Sequence, residues 1–150
     1  MSRQAPTSGN AFPRERLIMP RARCPSPLSI LIVEDHPDSR KYLQLLLQAK
    51  GHAVRAAKSV GEAKALFEQE EPQVLISDIG LPDGSGCDLL KELRPSRPLY
   101  AIAMSGYGTA ADLLKSSAAG FHRHIVKPFM PERLDTLLEE AAQAFQKAPK

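Results

Sequence analysis

The chain is predicted to fold as an α/β domain on a doubly wound parallel sheet. Five apolar runs recur between Leu28 and Val126, amphipathic stretches of helical period separate them, and turn-forming residues mark the junctions. Strands alternating with helices form parallel sheets, and right-handed crossovers restrict how such units can be wound.

Leu28 to Val33 is apolar except for Ser29, as expected of a strand covered on both faces. Pro37 suits the first turn of the helix that follows. Leu43, Leu46 and Leu47 form its inner stripe, and Gly51 stops it. His52 to Ala57 is shorter and more polar, which places it at a sheet edge. Ser59 and Glu62 have capping-box spacing for a second helix with the stripe Val60, Ala63, Leu66 and Phe67, and Pro72 ends that region. Val74 to Ile79 reads as the third strand, followed by a loop through Gly80, Leu81, Pro82, Asp83, Gly84, Ser85 and Gly86.

Leu89, Leu90 and Leu93 mark a third helix closed by Pro95, and Leu99 to Met104 is the fourth strand. Thr109 caps a fourth helix containing Leu113 and Leu114. Phe121 to Val126 is the fifth strand, and its His122, Arg123 and His124 assign it to the other edge. Leu134, Leu137, Leu138, Ala141 and Phe145 then trace one face of the last helix.

The 150 residues accommodate one domain, taken as 28–146, with a leader at 1–27 and a short tail at 147–150. A hydrophobic content of 43% supports a real core, and 25% charged residues fit an ordinary globular protein. The net charge of +3 is unevenly spread: five of the 20 basic residues but only Glu15 of the 17 acids precede residue 28. The basic character therefore belongs to a Pro- and Arg-rich leader, read either as a flexible segment or as a basic arm for a partner or nucleic acid. The domain itself is near neutral and offers no case for nucleic-acid binding. Cys24 and Cys87 lack ligand-like spacing and read as free thiols. No apolar run suits a membrane span or a secretory signal, so the expected location is cytoplasmic.

In open parallel sheets the binding crevice lies beyond the C-terminal strand ends. Glu34 and Asp35 follow the first strand, Asp78 ends the third, Ser105 the fourth, and Lys127 with Pro128 follows the fifth. Three carboxylates gathered in one cleft repel one another unless a cation joins them. Oxygen ligands without nearby His or Cys point to Mg²⁺, or Mn²⁺, rather than zinc. A phosphoryl group could then be met by the metal on Asp35 and Asp78, by the Lys127 ammonium and by the Ser105 hydroxyl, with Asp78 as nucleophile.

Ile32-Val33-Glu34-Asp35, Asp78-Ile79-Gly80-Leu81-Pro82, Met104-Ser105-Gly106-Tyr107 and Val126-Lys127-Pro128-Phe129 resemble, in order and separation, the motifs of response-regulator receiver domains. The resemblance runs from about Leu28 to Phe145. It implies a flavodoxin-like (βα)5 fold with strand order 2-1-3-4-5, and phosphate uptake on Asp78 from a histidine kinase or histidine phosphotransfer protein. It further implies metal binding by Asp35 directly, by Glu34 through water and by the Gly80 main-chain carbonyl. Ser105 would follow the phosphoryl group, Lys127 would pair with it, and Lys127-Pro128 would be a cis peptide.

His124 falls where the family often has Tyr or Phe, so two readings stay open: a switch residue, or an exposed edge-strand histidine. The motif style is similar to receivers found with hybrid histidine kinases. The expected protein is a signalling phosphoacceptor rather than a conventional enzyme, a switch or phosphotransfer intermediate without its own output module. It would act on an unidentified protein partner, as a monomer or weak dimer through the face of helix 4, strand 5 and helix 5. A phosphate sink is the related alternative. A Mg²⁺-dependent phosphohydrolase on a similar sheet would want a second acid two residues after the nucleophile, where Gly80 stands. A flavin-binding module would want a Ser/Thr/Gly-rich phosphate cradle where Glu34-Asp35-His36-Pro37 stands.

Overall fold

The computed structural model describes residues 27–106 and 108–147. The expected leader, apart from Pro27, and with it Cys24, lies outside the described residues, as do Tyr107 and residues 148–150 of the expected tail.

Five parallel strands form the sheet: β1 (Ser29–Val33), β2 (Ala53–Ala57), β3 (Val74–Asp78), β4 (Tyr100–Ser105) and β5 (Arg123–Val126). Their order is β2-β1-β3-β4-β5, with the two polar strands at the edges as predicted. The helices are α1 (Pro37–Ala49), α2 (Val60–Gln69), α3 (Gly86–Glu92), α4 (Ala110–Ala119) and α5 (Pro131–Lys147).

Period-two alternation in the central strands explains the two helical layers. Ile30 and Ile32 of β1, Val74 and Ile76 of β3, and Ile102 and Met104 of β4 pack with Leu43 and Leu47 of α1 and Leu134, Leu137 and Leu138 of α5. The intervening residues Leu31, Val33 and Leu75 pack on the opposite side against α2 and α3. Toward α4 that second side is lined by small groups: Cys87, Ala101, Ala103 and Ala119 with Phe121.

Local signals behave largely as expected. Pro37 opens α1, and Gly51 takes φ +97°, a left-handed conformation that glycine adopts without a Cβ penalty. Ser59 Oγ accepts from the Glu62 N–H at 3.1 Å, while the Glu62 carboxylate accepts from the Lys58 N–H rather than from Ser59. The predicted loop after β3 contains a small antiparallel ribbon, Gly80–Leu81 paired with Gly84–Ser85. His52 lies just outside β2 and is buried; its Nδ1 accepts from the Leu28 N–H at 3.0 Å, tying the start of β1 to the turn before β2. The fifth strand begins at Arg123 rather than Phe121, because the Phe121 N–H donates to the Ser116 carbonyl at the end of α4, at 3.1 Å.

Among the described residues no helix is long and apolar enough to cross a membrane.

Candidate functional site: an acidic crevice at the strand ends

Topology gathers the predicted residues. β1, β3 and β4 are neighbours, so Glu34, Asp78 and Ser105 emerge side by side at one sheet edge. β5 adds Lys127, whose N–H donates to the Ser105 carbonyl at 2.8 Å. The Lys127–Pro128 peptide is cis.

Lys127 Nζ donates to Glu34 Oε1 at 2.7 Å and to Asp78 Oδ2 at 3.0 Å. Glu34 is buried, and its second oxygen accepts from the His36 N–H at 3.1 Å. Asp35 is exposed. One carboxylate oxygen from each of Glu34, Asp35 and Asp78 lies within 4.8 Å of the others.

The electrostatics follow from one ammonium serving several acids. Burial raises the Asp78 carboxyl, Lys127 opposes this, the negative charge of Glu34 adds to it, and the net result is a value pushed up to about 6. Glu34 is also penalised by burial, but the hydrogen bonds from Lys127 and His36 outweigh that and hold it below the usual carboxylate range. Burial works against the Lys127 ammonium, and its two acidic partners more than compensate. The crevice is therefore short of positive charge at Asp78. A hard divalent cation on these oxygens would supply it, so the donor set fits Mg²⁺.

Packing fixes the frame around Asp78. Gly86 begins α3 so close to β3 that a Cβ there would stand 2.2 Å from the Asp78 carbonyl oxygen. Its N–H donates to the Ile79 carbonyl at 2.7 Å, and the Ile79 N–H donates to the Met104 carbonyl at 2.9 Å. Asp83, across the ribbon, accepts from the Val60 and Gly61 N–H groups at 2.8 and 3.0 Å, which anchors the loop to the start of α2. Those bonds hold its carboxyl below the usual range. Gly80, proposed from sequence as a carbonyl ligand, occupies the first position of the ribbon.

His124 is half-buried and turned inward rather than standing on an exposed edge. Its Nε2 is 2.9 Å from Ser105 Oγ and its Nδ1 is 2.9 Å from Ser116 Oγ. Two further residues escaped sequence reasoning. Arg40 of α1 donates from Nη1 to the carbonyl oxygens of Glu34 and Asp35 at 3.0 and 3.3 Å, bracing the acidic turn. Ser116 carried no sequence signal beyond being a serine inside a helix.

Fold and crevice together define an α/β domain with an acidic, lysine-paired site at the C-terminal strand ends. Residues 30–139 match the family model of the response regulator receiver domain, and the chain belongs to that family. The chain is 34% identical over 121 residues to an uncharacterized 14.6 kDa protein in the sodA1 3′ region of Leptolyngbya boryana, covering 79% of this chain and 92% of that one. It is also 34% identical over 112 residues to the response regulator protein PilR of Pseudomonas aeruginosa, covering 74% of this chain and 25% of PilR. Among solved structures, the CheY-like response regulator receiver domain protein of Methanospirillum hungatei JF-1 superposes with a TM-score of 0.73 at 30% identity, covering 82% of this chain and all of the other. The chain thus spans nearly all of the first relative but a quarter of PilR.

Proposed function

We propose that this receiver accepts a phosphoryl group on Asp78 from a phosphohistidine of a kinase or phosphotransfer protein, with Mg²⁺ bound at the acidic crevice. The observation that carries the reading is the Asp78 carboxylate, buried, raised to about 6 and bonded to Lys127 at 3.0 Å. A carboxylate with so perturbed an environment at the strand-end crevice has a functional explanation and a poor structural one.

In the transfer, an Asp78 oxygen attacks phosphorus as the P–N bond of the donor breaks, and the departing imidazole takes its proton from solvent. Lys127 holds one Asp78 oxygen and stands where it can neutralise a phosphoryl oxygen. Asp35, Asp78 and the Gly80 carbonyl, with Glu34 through water, would hold Mg²⁺, which when bound offsets phosphoryl charge. Ser105 donates its hydroxyl to the arriving group. The position of His124 beside Ser105 favours its switch role, and the partner-facing surface would be α4, β5 and α5. The product is a signalling state of the domain, so the protein works as a phosphoacceptor, not as a hydrolase.

Beryllofluoride, a phosphoryl analogue, tests the site directly. With Mg²⁺ it should bind one-to-one and shift the amide signals around Asp78. Binding should vanish in Asp78→Asn and on chelation of the metal. Undiminished binding in Asp78→Asn would refute the assignment.

A further inference from the structure

His124 joins two hydroxyls, and the directions of its hydrogen bonds can be worked out. Ser116 is 2% exposed, and its Oγ lies 3.1 Å from the Leu113 carbonyl oxygen. A carbonyl only accepts, so the single hydroxyl proton of Ser116 is donated there. The 2.9 Å contact between Ser116 Oγ and His124 Nδ1 then needs the proton on Nδ1. In a neutral ring Nε2 is bare, and its 2.9 Å contact with Ser105 is a bond donated by the Ser105 hydroxyl. The chain of donation runs from Ser105 through His124 and Ser116 to the Leu113 carbonyl.

We propose that Ser116 is a positioning residue through which α4 reads the state of Ser105, by a reversal of this chain when Ser105 turns its proton to a phosphoryl oxygen. The inference rests on the phosphoacceptor reading above. Once the Ser105 proton is committed to the phosphoryl group, Ser105 Oγ can only accept from the ring. His124 must then present Nε2–H, which leaves Nδ1 bare. The Ser116 hydroxyl rotates from the Leu113 carbonyl to Nδ1. The ring loses one proton and gains one by exchange with solvent, which its half-buried position permits, so the proton count is unchanged.

The consequence falls on a helix that buries only a few small residues. Ser116 and Ala119 are the buried residues of α4. Leu113, whose carbonyl would lose a bond, is 43% exposed, and Leu114 is 71% exposed. A change in one buried hydroxyl therefore acts on one of the two buried residues of the segment that carries these apolar side chains. A phenyl ring at position 124 would make neither bond, so this coupling belongs to the pairing of His124 with Ser116.

Long-range ¹H–¹⁵N spectra of the histidine rings in the full chain test the proposal. His124 should carry its proton on Nδ1 without ligand and on Nε2 after loading with beryllofluoride and Mg²⁺. In Ser116→Ala, beryllofluoride should still load while the Nδ1 preference disappears and the amide shifts of residues 110–119 cease to respond. An Nε2–H ring in the unliganded protein would overturn the chain as drawn. A loaded protein whose ring keeps Nδ1–H, alone or doubly protonated, would overturn the reversal while leaving the phosphoacceptor reading intact. Failure of the wild-type protein to load at Asp78 would overturn both. The wild-type ring spectra need no variant, so a poorly folded Ser116→Ala does not remove the test.

Discussion

The two helices that flank β5 are held in very different ways. α5 buries Leu134, Leu137, Leu138, Ala141 and Ala142 against the large side chains of β1, β3 and β4, and is pinned by ion pairs from Lys50 to Asp135 and from Arg123 to Glu140 at 3.1 and 3.0 Å. α4 sits over alanines and a cysteine, buries Ser116 and Ala119, and leaves Leu113 and Leu114 in solvent. Burying a leucine is worth about 1.5–3 kcal/mol, and burying an alanine far less, so α5 is part of the fixed frame while α4 adheres weakly. Segments of low local stability are the ones able to respond to a ligand. The site joins both: Lys127 leads from β5 toward α5, and Ser105 connects through His124 to α4.

Truncations should separate the two helices most sharply. Leu137→Ala, at a fully buried position of α5, should cost about 2–5 kcal/mol in chemical denaturation. Leu114→Ala in α4 should stay within about 0.5 kcal/mol. A large loss from Leu114→Ala would erase the contrast.

Gly86→Ala probes the joint between α3 and β3. With a Cβ 2.2 Å from the Asp78 carbonyl oxygen, backbone must move, at a cost of about 1–3 kcal/mol and with loss of beryllofluoride binding. Intact binding in that variant would show that the frame tolerates displacement.

The Asp78 charge should appear as stability withheld. Its folded value of about 6 exceeds the ordinary 3.8, so the group favours folding below pH 3.8 and that contribution is lost as pH rises through about 6. At pH 7 without metal, Asp78→Asn should therefore be more stable than wild type, by about 1–3 kcal/mol. The gain should vanish near pH 4. Equal stability at pH 7 would show that Lys127 already balances the charge.

The smallest effect concerns the histidines that tie strand starts. Burial lowers both His52 and His122 from 6.5, so protons bind the unfolded chain more readily, and stability should fall as pH drops below about 6.5. His122 stacks on Tyr100 and accepts from the Ala101 N–H at 3.0 Å. Replacing His52 and His122 together by Gln should flatten this limb of the stability curve between pH 5 and 6.5, measured by urea titration.

Most of the frame was legible because periodicity and position carry it. Central strands read as unbroken apolar runs, edge strands as polar ones, and the strand-end rule placed Glu34, Asp78, Ser105 and Lys127 in one crevice. What stayed hidden depends on contacts between residues far apart in sequence. Nothing local indicates that Asp83 accepts from Val60 and Gly61, or that His52 accepts from Leu28. Leu113 and Leu114 are adjacent leucines in a helix, a pattern that cannot tell core from surface without knowing what lies beneath. Here small side chains lie beneath, and both leucines face water. His124 had two readings from sequence, and its bond to Ser116, eight residues away, decides its orientation.

Phosphate uptake reads the role of Asp78 at the residue itself. The purified protein, given a small acyl phosphate donor and Mg²⁺, should gain one acid-labile phosphate, and borohydride reduction followed by mass mapping should place it at position 78. Asp78→Asn should take up none. Label on another residue, or undiminished labelling of Asp78→Asn, would exclude Asp78 as the acceptor.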